Sequence, residues 1–137
     1  MAGNLNRYVP DWSVTSNPGA NAQASASRPA STNPSTDACR HVCTSITALI
    51  RGGTTAPAAV QVTVNLRDGA SGAGTILASF SLVLAGAIAA ADSVFIDTLE
   101  IIGSPNTAMT LEFTAAGGAN TFESVTMTGH TIWGPNA

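Results

Sequence analysis

A mostly β fold, an antiparallel β-sandwich or jelly roll, is predicted by three observations. Apolar residues recur at every second position over most of the chain after Cys39, the runs are short and bounded by Gly, Asn and Pro turns, and no long amphipathic helix competes with them. A length of 137 residues suits one such domain and leaves no room for a second. The composition is uneven. Residues 1–38 are rich in Ser, Ala, Asn, Thr and Pro, whereas nearly all the Val, Ile, Leu, Met and Phe follow Cys39. The expected organisation is an extended or flexible N-terminal arm over residues 1–38 and a β-sandwich domain over residues 39–137.

Within the arm no apolar periodicity persists, and Pro10, Pro18, Pro29 and Pro34 prevent a long helix. Tyr8, Val9 and Trp12 flank Pro10 near its tip. An apolar cluster on such a segment either docks on a partner, ordering as it binds, or folds back on its own domain. The first strand starts after Asp37, with Val42, Thr44, Ile46, Ala48 and Ile50 expected on one face and Gly52-Gly53 ending it. In the next, Val60, Val62, Val64 and Leu66 alternate with Gln61, Thr63, Asn65 and Arg67, and Asp68-Gly69 signals a turn. A third runs from about Ile76 to Leu84, with Ile76, Ala78, Phe80, Leu82 and Leu84 together. The stretch 85–91 reads equally as a helical turn or a loop.

Residues 93–102 supply one or two short strands before the turn at Gly103-Ser104-Pro105-Asn106. Met109, Leu111 and Phe113 then alternate with Thr110 and Glu112. In the last strand, around 123–132, Val125 and Met127 face inward and Ser124, Thr126 and Thr128 outward, with Gly129 marking a bulge or a close backbone approach.

Charge excludes several functions. Only 9% of residues are charged, against about 25% in an average soluble protein, so Thr, Ser, Asn and Gln must keep the wet faces wet. A surface so poor in charge also suits one that is covered by partners. There is no lysine, and five arginines stand against eight acidic residues. Nucleic-acid binding, which needs a concentrated basic footprint, is not expected. The N-terminus lacks a basic region followed by an apolar one, so folding in a cytoplasm is expected. The uncharged run from Thr75 to Ala91 approaches a membrane span in length. Ser79 and Ser81 alternate with Phe80 and Leu82 there, Gly86 interrupts and Asp92 follows, so a strand with an Ala-rich connection is expected instead.

No catalytic set is legible. The carboxylates, among them Asp97, Glu100, Glu112 and Glu123, are scattered singly, and no G-x-S-x-G, H-E-x-x-H or lysine-bearing phosphate loop occurs. The expectation is that the chain is not an enzyme and uses no cofactor. Cys39, His41 and Cys43 are the most suggestive group, because residues two apart on a strand share a face. A structural zinc site generally needs four ligands, and the only other histidine is the distant His130. No metal is expected. Extended chain would hold Cys39 and Cys43 about 13 Å apart, beyond the roughly 7 Å limit for a disulfide, so free thiols are expected.

Four stretches carry a resemblance: Arg40-His41-Val42 leading into Thr44-Ser45-Ile46, Leu66-Arg67-Asp68-Gly69, Asn106 to Phe113, and Ser124-Val125-Thr126-Met127-Thr128-Gly129. Over most of residues 40–130 the chain resembles the small capsid decoration, or cement, proteins of tailed bacteriophages. The resemblance lies in a pattern of strands and turns. It implies a β-sandwich made in the host cytoplasm and bound, as a homo-oligomer (dimer or trimer), to the outer capsid surface of the virion, stabilising the major capsid protein shell. The arm, spanning on the order of 100 Å if fully extended, then reaches a neighbouring subunit. Tyr8, Val9 and Trp12 are its expected anchors, with Trp133 a C-terminal one. The alternatives are a carbohydrate- or host-surface-binding module of a phage fibre or tail, which would stack sugars on exposed aromatics, and a tail-tube or baseplate component.

Overall fold

The computed structural model describes residues 8–31 and 38–133, with side chains from Asp11 onward. Those residues form nine strands: β1 (Tyr8–Ser16), β2 (Ser25–Arg28), β3 (Cys39–Gly52), β4 (Val60–Asp68), β5 (Thr75–Leu84), β6 (Ala91–Ile96), β7 (Ile101–Ile102), β8 (Met109–Phe113) and β9 (Thr121–Trp133). Every pairing is antiparallel. One sheet runs β1-β9-β3-β6 with β7 beside β3, the other β2-β8-β4-β5. The fold is a mostly β sandwich, as the alternating pattern predicts. Ile46, Ile50, Val125 and Met127 of the first sheet pack against Val64, Leu66, Leu111 and Phe113 of the second, all essentially without solvent contact.

Period two decides which side chains enter that layer. In β9, Thr121, Glu123, Val125, Met127, Gly129 and Thr131 are buried, and the residues between them are partly exposed. Residues of β8 are buried on both faces, because the loop after β4 folds over its outer side and Thr110 Oγ1 donates to the Gly69 carbonyl at 2.8 Å. The stretch 85–90 is a loop of tight turns, with Ala87 N–H on the Ala85 carbonyl and Ala89 at φ 57°. No helix among the described residues is long and apolar enough to cross a membrane.

Two parities differ from the expected ones, both for the same reason. The β3–β9 register shifts between Cys43 and Ser45, so Thr44 is an extra residue opposite β9. An extra residue inverts the alternation on one side of it. Cys39, His41 and Cys43, rather than Val42 and Thr44, therefore share the inner face with Ile46. In the β4–β5 pair a shift between Leu66 and Arg67 leaves Leu77 unpaired and turns Ile76 outward, 49% exposed.

The arm over residues 1–38 is corrected wherever it is described. Residues 8–16 pair with β9 and residues 25–28 with β8, so each sheet takes an edge strand from this segment. Trp12 and Val14 point into the core while Ser13 and Thr15 face solvent. Asn21, at φ 55°, ties the connection between the two strands to the Thr121 carbonyl at 2.8 Å. Burial of the Trp12 ring and satisfied ladders on both strands outweigh the Pro- and Ser-rich composition. Residues 1–7 and 32–37 of the expected arm lie outside the described residues.

Candidate interaction surface

Trp12 is 7% exposed, its ring packed in this chain's own core. Its ring meets the His41 imidazole edge-on at 5.6 Å, with the Arg28 guanidinium 5.9 Å from its centre. A directed chain of hydrogen bonds holds it there. The Pro29 carbonyl, which only accepts, lies 2.8 Å from His41 Nε2, so that nitrogen carries the proton. Nδ1 then accepts from the Thr131 hydroxyl at 2.7 Å, and the same oxygen accepts from Trp12 Nε1–H at 3.2 Å. Burial, aided by the Arg28 charge, lowers the His41 pKa against the pull of Pro29. Both nitrogens of His41 are thus spent, one on β9 and one on the residue that follows β2.

Cys39, His41 and Cys43 do share a face, yet no group of three His, Cys, Asp or Glu that could hold a metal occurs among the described residues. Neither Cys39 nor Cys43 is in a disulfide, and both are buried. Burial pushes the Cys43 thiol up to about 11, and it donates to the Ser45 carbonyl.

Two buried carboxylates serve separate networks. Glu123 Oε2 accepts the Ala24 N–H at 3.0 Å, bridging the sheets. Burial raises its pKa, partly offset by the Ala24 and Gly117 amides. Glu112 lies beneath the loop after β4, where Oε1 takes Arg67 Nε–H at 2.7 Å and Gly72 N–H at 2.9 Å, and Oε2 takes the Ser71 and Ser25 hydroxyls. Burial opposes the Glu112 charge, but the bonds from Ser71, Gly72 and Arg67 and the guanidinium charge together hold the carboxyl below its usual range. Arg67–Glu112 is the one ion pair among the described residues. Removing one partner of a buried pair typically costs about 3–5 kcal/mol, whereas replacing both by apolar groups is often neutral. Glu112→Leu is expected to cost about 3 kcal/mol, the low end because Arg67 keeps some solvent contact, and Arg67→Leu/Glu112→Leu to recover most of it. Urea denaturation of the double-mutant cycle measures this; a loss in the double variant equal to the sum of the two single losses would show that the pair does not couple.

The outer face of the first sheet is rich in hydroxyls. Thr15 and Thr126 share a 3.0 Å hydrogen bond across β1 and β9, and Ser45 and Thr128 another across β3 and β9. A shallow hollow of about 460 Å³ lies over the Thr44 bulge, lined by Asp11, Trp12, Ser13, Thr44, Thr128, Gly129 and His130. At the far end of this face the Arg51 guanidinium stacks 4.5 Å from the Phe122 ring centre.

Among the described residues, exposed large apolar side chains fall in one stretch: Ile76, Val83, Ile88, Phe95 and Ile102, each 48–66% exposed. They belong to β5, β6, β7 and the β5–β6 connection, where the edges of the two sheets meet and Asp92 Oδ2 accepts the Val83 N–H at 2.8 Å. Sequence reading did not single them out, because alternation predicts strands without telling an edge from a centre. Of the expected anchors, Tyr8 and Val9 have backbone paired with Ile132 and Thr131, and their side chains lie outside the described residues. Trp133 is partly exposed, with Nε1 buried and without a hydrogen-bond partner. Neither a protein-family model nor a curated protein matches this chain.

Proposed function

We propose that the chain is a non-catalytic structural protein of a bacteriophage virion, a capsid decoration protein that binds and stabilises the assembled major capsid protein shell from outside. The observation that carries this reading is that, among the described residues, the large exposed apolar side chains all fall on β5, β6, β7 and the β5–β6 connection. Isolated apolar residues are normal on a surface, but several along the meeting edges of two sheets, with Asp92, Asp97 and Glu100 interspersed, suit a contact site with a polar rim. Phe95, Ile88 and Ile102 are the residues we assign to the shell, with Trp133 a further candidate contact. Each copy contributes a modest contact, and a homo-oligomer raises the effective concentration of the next.

Co-sedimentation with capsids that lack the protein tests the reading. Saturable binding that raises the resistance of the particles to heat or low salt is expected. Phe95→Ser is expected to weaken binding at least tenfold while moving the stability of the free chain by no more than about 0.5 kcal/mol, as for an exposed position. No binding to capsids would end the reading. It would favour the carbohydrate- or host-surface-binding alternative, whose one structural support is the hollow that Asp11, His130 and three hydroxyl side chains line over Trp12.

A further inference from the structure

We infer that β5 is the subunit interface of a two-fold dimer, pairing antiparallel with β5 of a second copy about a centre at Phe80. This deepens the homo-oligomeric part of the proposed function and rests on it only for its purpose.

Five strands edge the two sheets, β7 with only two residues, and exposed edges invite pairing unless they are guarded. β1 carries Pro10, Asp11 and a register break between Val9 and Trp12. β2 has four residues and ends on Arg28. β6 has six and carries Asp92. β5 has ten residues, no proline and no charge, and the chain stays uncharged from Thr75 to Ala91.

The Val83–Asp92 bond fixes which backbone groups face outward. Val83 N–H points away from β4 to reach Asp92, and in an antiparallel ladder alternate residues point their N–H and C=O the same way. Ser79 and Ser81 therefore present both groups to the free side, whereas Phe80 and Leu82 bond to β4. Beyond the irregularity at Leu77, the pairing of residues 78–84 with β4 is regular.

Self-complementarity identifies the occupant. Along the outer face β5 reads Ile76, Ser79, Ser81, Val83, apolar at both ends and hydroxyl between, so it matches itself reversed. A two-fold at Phe80 sets each Ser79 opposite Ser81 of the second copy, where they exchange backbone hydrogen bonds. The Val83–Asp92 bond stays intact, and each Val83 meets the Leu77 region of the second copy. A symmetric edge that bore a charge near its centre would set like against like; β5 bears none, and the carboxylate on its free side, Asp92, sits at the Val83 end, away from the centre.

The test is the mass of the full-length protein by sedimentation equilibrium over a hundredfold concentration range. Wild type is expected at twice 13.7 kDa at the upper end. Ser81→Pro deletes an N–H that faces the free side, not the β4 ladder, and Val83→Lys sets a cation against the apolar Leu77 region of the second copy. Each is expected to weaken dimerisation at least tenfold. Register is read by Ser79→Cys/Ser81→Cys: hydrogen-bonded antiparallel partners sit about 5.5 Å apart at Cα, within disulfide reach, so mild oxidation is expected to give a covalent dimer. A wild-type monomer throughout, a dimer indifferent to both Ser81→Pro and Val83→Lys, or no cross-link would overturn the inference. A monomer that still stabilises capsids would remove this interface and leave the proposed function; a β5 dimer without affinity for capsids would do the reverse.

Discussion

Deleting residues 1–16 is expected to leave a chain that does not fold, and Trp12→Ala alone to cost about 3–5 kcal/mol, the usual range for emptying a buried aromatic site. The segment supplies the whole of β1, whose nine residues close the β9 edge of the first sheet. Without it the β9 ladder faces solvent along most of its length. Trp12 also closes the hydrogen-bond chain through Thr131 and His41 to Pro29. Its loss opens a cavity and leaves the Thr131 hydroxyl short of a donor in a buried site. Domains of this size have about 5–15 kcal/mol of net stability, so a loss of about 3–5 kcal/mol is a fifth or more of the total. Thermal unfolding followed by circular dichroism measures both changes. A truncated chain with the wild-type midpoint would make β1 peripheral after all. The expected result also bears on function: a truncated chain that fails to bind particles would not locate a contact, and a substitution at Phe95, which leaves the core alone, would.

How much the sequence shows depends on the size of the inward side chains. In β4, β8 and β9 large apolar residues alternate with polar ones, and these strands are legible at once. In β2 and just before it the inward positions are Ala24, Ala26 and Arg28, too small or too polar to register as a strand, although the two alanines are fully or almost fully buried. In β1 the alternation of Trp12 and Val14 with Ser13 and Thr15 is present but short, and the prolines around it read as loop. The Thr44 bulge is invisible in β3 itself. Its trace is on the opposite strand, where Gly129 marks a close approach. Glu112 is legible as outward-facing, but not as buried, because the loop that covers it comes from elsewhere in the chain. The uncharged run from Thr75 to Ala91 is plain in the sequence, and only the sheet order shows that it forms an unguarded edge.

Gly129→Ala is expected to destabilise the fold by about 4–5 kcal/mol, a size reserved for a few mechanisms of which steric conflict in a core is one. The added methyl would stand 2.7 and 2.8 Å from Cζ2 and Cη2 of Trp12 and inside contact distance of the Val42 carbonyl oxygen. Neither neighbour can withdraw. The Val42 carbonyl is backbone of β3, held next to the bulge where Cys43 pairs with Gly129. The Trp12 ring is pinned by its bond to Thr131 and its edge contact with His41. Relief requires parting β3 from β9 or expelling the indole, and either exceeds the roughly 1–3 kcal/mol of ordinary overpacking. Gly19→Ala is the matching control, since nothing lies within 4 Å of a methyl group there, and it is expected within about 0.5 kcal/mol of wild type. Urea midpoints of the two variants measure the difference. Because the backbone oxygen is the closer obstacle, shrinking the ring as well, in Trp12→Ala/Gly129→Ala, is not expected to restore stability; recovery in that double variant would show instead that the indole alone excludes a side chain at 129 and that the β3–β9 ladder has slack at the bulge.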